Sequence, residues 1–290
     1  MSRTSQSSAQ GSSSEVPAAL DVAAIQLNSQ NDLAQNLRTC RELVRQASDR
    51  GARLVVLPEN FAFFSADAGR RDVAESLAGE PGPIRAAMAE WARDCAVTVI
   101  GGGFPEAGPD PLRPYNTCAV MAPSGELVAS YRKIHLFDVD LADGTRLRES
   151  EATAAGEAAR VVEVDGFKVG LSICYDLRFP ELYRALVDQG AELIVVPAAF
   201  TLHTGKDHWH VLLRARAIES QAWVVAAGQW GRHPRDRVTY GHSLVVDPWG
   251  TVVAEASDGV GLALARVERA RLQEVRSGLP SLRHRRLPKA

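Results

Sequence analysis

The sequence predicts an α/β fold built as a four-layer α-β-β-α sandwich with two pseudo-repeated halves. Apolar runs typical of buried strands alternate along the chain with amphipathic helical patterns. Residues 51–61 line up with residues 190–200, and residues 122–129 line up in the same order with residues 247–254. Each half would therefore form one sheet with helices on its outer face, and two such sheets packed face to face give four layers.

The elements of the first half follow from short apolar runs, helical periodicity and one turn signal. The run RLVVLP at residues 53–58 is a buried strand, and a Ser-Gly pair at 124–125 turns a hairpin. The predicted order is strand 20–27, helix 32–49, strand 53–58, helix 84–95, strand 97–100 and hairpin strands 118–123 and 126–131.

The second half repeats this order. It is predicted as strand 168–174, helix 181–189, strand 193–196, helix 206–220, strand 223–227 and hairpin strands 244–248 and 251–255. The insert at residues 134–160 is polar and is predicted to be a loop, and long loops of this kind are usually functional.

Composition limits the classes of function. The chain has 290 residues, with 33 Lys and Arg against 35 Asp and Glu, so its balanced charge gives no reason to expect nucleic-acid binding. No apolar stretch reaches the roughly 18 residues of a membrane-spanning helix. Four irregularly spaced cysteines favour a reduced, cytoplasmic setting. Residues 1–17 form a Ser-rich tail, expected to be disordered and without a secretory signal, and residues 18–288 are predicted to form a single domain.

The internal repeat serves as a control for functional residues, because features that only the fold requires should occur in both halves. Glu59 lies opposite Ala198, and Lys133 lies opposite Asp258. The strand that ends near Cys174 corresponds to the strand at 20–27, where no cysteine lies nearby. All three side chains fall at or just past strand carboxyl ends, where α/β sheets place ligands.

These residue types suit nucleophilic catalysis by a thiol. A free thiol, with a pKa of ~8.5, is mostly protonated at neutral pH, so a carboxylate that accepts its proton activates it. A nearby ammonium stabilises both the thiolate and the oxyanion formed on attack at a carbonyl or nitrile carbon. Backbone N–H groups at the strand-to-helix turn of Cys174 are expected to lower its pKa. Taken singly, each residue could instead be structural; together they favour catalysis.

Three motifs resemble those of the nitrilase, or carbon–nitrogen hydrolase, superfamily. They are Leu57-Pro58-Glu59, Tyr131-Arg132-Lys133-Ile134-His135-Leu136 and Cys174-Tyr175-Asp176-Leu177-Arg178-Phe179. The resemblance implies the αββα fold, a homodimer or higher homo-oligomer, no metal and no organic cofactor. It also implies that Glu59 is the general base, that Lys133 stabilises the tetrahedral intermediate and that Cys174 forms the acyl-thioester. Tyr175 would donate its backbone N–H to the oxyanion, and Glu149 would be the additional glutamate of the site.

Within the superfamily, further segments resemble the Nit branch. Residues 229–233 (QWGRH) and 282–286 (LRHRR) are closer to deaminated-glutathione amidases than to their ω-amidase relatives. This resemblance implies hydrolysis of a small amide, the α-keto analogue of glutathione. Arg178 would pair with a substrate carboxylate, or alternatively form a salt bridge in the wall of the site. Phe200 is a second expected substrate contact.

Other functions compete with this interpretation. His203, His208 and His210, with Asp207, could bind zinc, although their spacing does not place all three imidazoles on one helix face. A non-catalytic scaffold could keep the fold for partner binding. The same mechanism could also act on an ω-amide of an α-keto acid, a carbamoyl amino acid or a nitrile, because the pocket walls decide the substrate.

Overall fold

The computed structural model describes residues 17–65, 67–140 and 146–287. The predicted tail at 1–17 lies outside these residues, apart from its last one. The strands are β1 (Ala19–Gln26), β2 (Leu54–Leu57), β3 (Thr98–Glu106), β4 (Tyr115–Met121), β5 (Leu127–Arg132), β6 (Asp138–Asp140), β7 (Arg146–Arg148), β8 (Arg160–Val164), β9 (Phe167–Leu171), β10 (Leu193–Ala198), β11 (Trp223–Gly228), β12 (Trp230–Arg232), β13 (Val238–Tyr240), β14 (Leu244–Val246), β15 (Val252–Glu255) and β16 (Gly261–Glu268). The α-helices are α1 (Leu33–Asp49), α2 (Asp67–Asp72), α3 (Pro83–Cys95), α4 (Pro180–Asp188), α5 (Leu202–Ser220) and α6 (Arg269–Gly278).

Two six-stranded sheets carry the pseudo-repeat. Their strand orders are β16-β1-β2-β3-β4-β5 and β15-β14-β11-β10-β9-β8. Strands β1 to β3 run parallel in the first sheet, as β9 to β11 do in the second, and each set continues into an antiparallel hairpin. The order β1-β2-β3-β4-β5 therefore matches β9-β10-β11-β14-β15, and the two predicted halves are confirmed.

Each sheet also has a flanking strand that the sequence patterns did not reveal. Strand β8 precedes β9 in the chain and pairs with it antiparallel. The corresponding neighbour of β1 is β16, which comes from the far end of the chain and pairs with β1 along all eight of its residues. The first sheet is therefore completed only when the carboxyl-terminal segment returns to it.

The hydrophobic core forms two clusters, one between the sheets and beneath the helices of the second half, the other beneath the helices of the first half. In β2, Leu54 and Val56 face the second sheet, whereas Val55 and Leu57 pack with α1 and α3. This alternation is the period of two that a strand imposes on its side chains. Helix α1 begins where the side chain of Asp32 accepts a hydrogen bond from the Gln35 N–H, an N-cap. None of the helices in the described ranges has the length and hydropathy needed to cross a bilayer.

The insert at residues 134–160 is more ordered than predicted. Its strands β6 and β7 pair antiparallel, residues 141–145 between them lie outside the described part, and a short 3₁₀ helix follows at Glu149–Glu151. The polar pattern suggested a loop because these strands are short and exposed and bury little apolar surface. Their pairing places Glu149 against the first sheet.

Candidate active site

Strand direction brings the three predicted catalytic side chains to one edge of the sandwich. Glu59 follows β2, Lys133 follows β5, and Cys174 follows β9. Because β5 is antiparallel to β4, and β4 to β3, the carboxyl ends of β5 and β2 share an edge. All three side chains are buried, and they line one cavity of about 800 Å³.

The ammonium of Lys133 joins two carboxylates. Its Nζ lies 3.0 Å from Oε1 of Glu59, and 3.1 and 2.8 Å from the two oxygens of Glu149. The side-chain amide of Asn116 also donates to both, at 2.9 Å to Glu59 and 3.3 Å to Glu149. The backbone N–H of Phe137 completes the set at 2.7 Å from Glu149. Glu149, the predicted assisting residue, is therefore in direct contact with Lys133 and with Asn116, the two side chains that also contact Glu59.

For Lys133 and Glu149, the nearby opposite charges and hydrogen bonds together shift the pKa more than burial does. Burial opposes the charged form of Lys133, but the carboxylates of Glu149 and Glu59 raise its pKa above the usual range of lysine. Burial likewise opposes the charged form of Glu149, but the charges of Lys133 and Arg70 and two hydrogen bonds lower its pKa to about 2. Both groups are therefore charged at neutral pH, and Lys133 presents a fixed positive charge to the cavity.

Cys174 starts a short 3₁₀ helix, Cys174–Arg178, in a strained backbone conformation. Its φ is 49°, in the left-handed region that residues other than glycine rarely adopt, and such strain is typical of functional sites. Burial and the charge of Glu59 raise the pKa of the thiol well above its ordinary value, while Lys133 and the backbone N–H of Ala199 act in the opposite direction. The expectation of a lowered pKa is therefore wrong in its net sign, because burial and the facing carboxylate outweigh the donors.

A buried aspartate ties the cysteine turn to the lysine segment. Asp176 accepts hydrogen bonds from the Tyr131 hydroxyl at 2.7 Å, the Ile173 N–H at 2.8 Å and the His135 N–H at 3.1 Å. Ring nitrogen Nδ1 of His135 lies 2.7 Å from the same carboxylate, and this ring stacks on Phe179 at 3.7 Å. Asp176 thus fixes the position of Cys174, after a strand of the second sheet, relative to Lys133, after a strand of the first.

A glycine bulge makes room for Glu59. The pairing of β3 with β4 is irregular between Gly101 and Phe104, and Gly103 within it has a φ of +77°. A Cβ at Gly103 would lie 2.6 Å from the Asn116 side chain and 3.0 Å from Cγ of Glu59. Only glycine therefore allows the backbone to approach the carboxylate this closely.

Arg178 and Phe200 lie together beside the nucleophile, in a smaller pocket that also includes Cys174 and Tyr175. The guanidinium of Arg178 lies 5.3 Å from the centroid of the Phe200 ring and 5.9 Å from that of Tyr175. Its Nη1 lies 3.3 Å from Nδ1 of His208. The alternative of a salt bridge in the wall is not found among the described residues, because no carboxylate there pairs with Arg178.

Sequence reasoning missed several side chains of this site, chiefly Asn116, Asp176 and Arg70. Asn116 lies at the start of β4, which runs antiparallel, so its first residues meet the carboxyl ends of the parallel strands. Arg70 lies in α2, beyond Glu59 in the chain, and also lines the cavity. For Asn116 and Asp176, the position next to strand ends was the available signal, whereas Arg70 had none.

The three histidines of the zinc hypothesis do not converge. His203 lines the cavity, His208 contacts Arg178, and His210 pairs with Glu255 at 3.0 Å. A different set, His210, His242 and Glu255, places its donor atoms within 4.8 Å of one another. Both imidazoles already share one oxygen of Glu255, so hydrogen bonds account for this cluster.

Known proteins resemble this chain in sequence and in fold. A deaminated glutathione amidase of Synechocystis sp. is 46% identical over 270 residues, which are 91% of this chain and 97% of that protein. An omega-amidase of Danio rerio is 36% identical over 265 residues, 91% of this chain and 94% of its own. The crystal structure of the C. elegans NitFhit protein matches with a TM-score of 0.87 and 38% identity, over 94% of this chain and 66% of that chain.

These likenesses extend over nearly the whole chain and include the edge of the sandwich that carries Glu59, Lys133 and Cys174. The sequence model of the carbon–nitrogen hydrolase family matches residues 21–277, which contain all three motifs. The resemblance that the motifs indicated is thereby confirmed, and so is the four-layer sandwich. The chain belongs to the carbon–nitrogen hydrolase family and is a hydrolase of carbon–nitrogen bonds other than peptide bonds.

Proposed function

We propose that this protein hydrolyses deaminated glutathione, the α-keto analogue of glutathione, through a cysteine acyl-enzyme. The observation that carries the mechanism is the convergence of Glu59, Lys133 and Cys174 on one buried cavity. The substrate is supported by the relatives named deaminated glutathione amidase, at 46% identity over most of the chain.

The chemistry proceeds in two stages. Glu59 accepts the thiol proton as the Cys174 sulfur attacks the amide carbon, which is why a thiol of raised pKa still reacts. Lys133 and the N–H of Tyr175, in the first turn of the 3₁₀ helix, stabilise the oxyanion. The C–N bond then breaks, and Glu59 returns the proton to the departing amine.

Water completes the reaction. The thioester on Cys174 is attacked by a water molecule whose proton goes to Glu59, and the resulting oxyanion occupies the same donors. Collapse breaks the C–S bond, releases the acid and restores the thiol as Glu59 gives up its proton. Glu149 holds Lys133 in place throughout, since its two oxygens lie 3.1 and 2.8 Å from Nζ.

Arg178 binds the α-keto acid end of the substrate. Its guanidinium has no carboxylate partner among the described residues, shares a pocket with Cys174, and lies over the Phe200 ring. A bidentate pair with the substrate carboxylate would satisfy it. The acyl group is then fixed with its carbonyl carbon at the sulfur.

The test is steady-state kinetics on a small panel of amides, with deaminated glutathione and α-ketoglutaramate compared directly. We expect Cys174→Ala to abolish product release, with Cys95→Ala as the matched control because Cys95 lies at the end of α3. Equal output from wild type and Cys174→Ala would leave the scaffold function standing. A higher kcat/KM for α-ketoglutaramate would favour the second candidate, an ω-amidase, which the Danio rerio relative supports.

The proposal includes that the protein forms a homodimer and works in the cytoplasm. Val211 and Ile218 are exposed apolar side chains on one face of α5, and the exposed Trp249, in the turn between β14 and β15, lies near Ile218. Together they offer an apolar surface on which a second copy of this chain could pack. Light scattering on wild type and Ile218→Lys tests it: we expect a dimer that weakens in the variant. The free thiols are consistent with a reducing compartment.

A further inference from the structure

One buried cation of the cavity, Arg70, has nitrogens without a hydrogen-bond partner. Arg70 is 8% exposed, and its Nε and Nη2 are buried with no such partner among the described residues. It lines the cavity, and its charge lowers the pKa of Glu149. Unpaired buried guanidinium groups are costly and rare. The cost of burying Arg70 is explained if an anion enters the cavity and accepts hydrogen bonds from these two nitrogens.

The rest of the cavity wall also favours an anion. Of the residues that the structure describes, seven Lys and Arg side chains line it against four Asp and Glu side chains. Lys133 is engaged by its two glutamates, and Arg146 and Arg148 pair with Asp140. Arg237 adds a third buried nitrogen, its Nε, that has no hydrogen-bond partner in the described part of the chain, and its guanidinium packs over Phe64 at 5.2 Å.

Two separate basic regions meet at the nucleophile. The smaller pocket contains Arg178 but not Arg70, the large cavity contains Arg70 but not Arg178, and both include Cys174 and Phe137. An amide whose carbonyl carbon lies at the sulfur can extend its acyl part towards one region and its amine part towards the other. If the acyl part occupies the Arg178 pocket, the amine part enters the cavity of Arg70.

We propose that Arg70, assisted by Arg237, binds a carboxylate on the leaving amine, so that the enzyme selects amides of short peptides with a free carboxyl terminus. This inference rests on the proposed function, in which the amine is the dipeptide cysteinylglycine. The unpartnered Asn60 oxygen in the same cavity offers an acceptor for a peptide N–H. Selection is by charge at the far end of the amine.

The experiment removes separately the charge of Arg70, by substitution, and the charge of the substrate's terminal carboxylate, by use of a carboxamide. Deaminated glutathione and its carboxyl-terminal carboxamide are compared on wild type, Arg70→Met and Arg70→Lys. We expect Arg70→Met to lower kcat/KM for the acid about 10- to 100-fold, a typical factor for one lost charge-assisted hydrogen bond, and for the carboxamide by no more than about 2-fold. Arg70→Lys should recover part of the loss. Equal losses on both substrates, or no loss on either, would overturn the proposal.

Arg71→Met is the matched control, because Arg71 is the next residue of α2, carries the same charge and is exposed. We expect it to retain the wild-type preference for the acid. If it lost that preference as fully as Arg70→Met, the general charge of α2 would explain the effect and the proposed site would be wrong.

A binding measurement separates this proposal from the proposed function. Calorimetry on Cys174→Ala protein, with and without Arg70→Met, uses cysteinylglycine and its carboxamide as probes. Arg70-dependent binding of the acid alone supports the anion site even if wild type hydrolyses no α-keto amide. Hydrolysis of deaminated glutathione with no Arg70-dependent discrimination leaves the function standing and overturns the site.

Discussion

The Cys174 sulfur lies between a carboxylate that disfavours a thiolate and an ammonium that favours one. Burial and Glu59 prevail and raise the pKa of the thiol, so the resting form is protonated. Reactivity then depends on removal of the proton during attack rather than on a standing thiolate. In the proposed mechanism the same carboxylate that raises the pKa accepts that proton, which would give Glu59 a role beyond holding Lys133.

Asn116 is the neutral donor shared by both glutamates. We expect Asn116→Ala to lower kcat by about 10- to 100-fold with KM changed by no more than about 3-fold, because two charged acceptors lose a hydrogen bond and can shift relative to the thiol. Steady-state kinetics checks this result, with thermal unfolding as the control for folding. An unchanged kcat would show that Lys133 alone suffices to position the carboxylates.

The depressed pKa of Glu149 predicts the acid dependence of stability. Its ordinary pKa of 4.5 applies to the unfolded chain, and the folded value is about 2. Between these values the unfolded state binds the extra proton, so Glu149 stabilises the fold above about pH 4.5, and this contribution falls as the pH drops towards 2.

Urea unfolding between pH 6 and pH 3 measures this dependence. We expect the free energy of unfolding of wild type to fall over this range, and Glu149→Gln to show a shallower fall because the titrating group is gone. Equal slopes for the two proteins would contradict the assignment.

At the scale of elements, the 3₁₀ turn at Cys174–Arg178 is held by the segment that follows β5. Asp176 has no exposed side-chain surface and joins Tyr131, His135 and Ile173. The turn that carries the nucleophile and the segment that carries the lysine are therefore positioned as one unit, although they belong to different halves of the chain.

Asp176→Asn tests this connection. The side-chain amide of the introduced asparagine would direct its NH₂ group towards groups that are themselves hydrogen-bond donors. We therefore expect the free energy of unfolding to fall by roughly 3 kcal/mol and kcat to be reduced. Urea unfolding and kinetics on the same preparation measure both. Glu181→Gln, on the exposed start of α4, is the control and should be close to wild type. Wild-type stability in Asp176→Asn would contradict the structural role.

At the scale of the whole molecule, the two sheets approach each other closely at β3 and β10. A Cβ at Gly102 would lie 1.9 Å from Cβ of Pro197 and 2.5 Å from the Leu57 carbonyl oxygen. Neither neighbour is the end of a flexible side chain, so the sheets would have to separate. The residues proposed for catalysis come from both sheets, and their spacing depends on this contact.

We therefore expect Gly102→Ala to destabilise the fold by about 3 kcal/mol or more through overpacking. Gly261→Ala is the control, because a Cβ at Gly261 meets nothing within 4 Å. Denaturant unfolding of both variants measures the difference. Similar stabilities would show that the sheets can part without cost.

Local sequence determined much of the fold. The apolar run of β2, the Asp32 cap of α1 and the two hairpins were predictable because each depends on neighbours within a few residues. Strand β16 was not, since its pairing with β1 joins the two ends of the fold. The site divided in the same way: Glu59, Lys133 and Cys174 were found by motif, whereas Asn116, Asp176 and Arg70 were not.

The sequence by itself determined the sandwich, the family and the three residues proposed for catalysis, because periodicity, repeat and motif are properties of contiguous residues. Tertiary structure decided that the Cys174 thiol is protonated and that Lys133 bridges Glu59 and Glu149. It also decided that two Arg70 nitrogens are buried without a hydrogen-bond partner among the described residues. These depend on burial and on distances between side chains from remote segments, and Coulomb energies in a low dielectric change steeply with both.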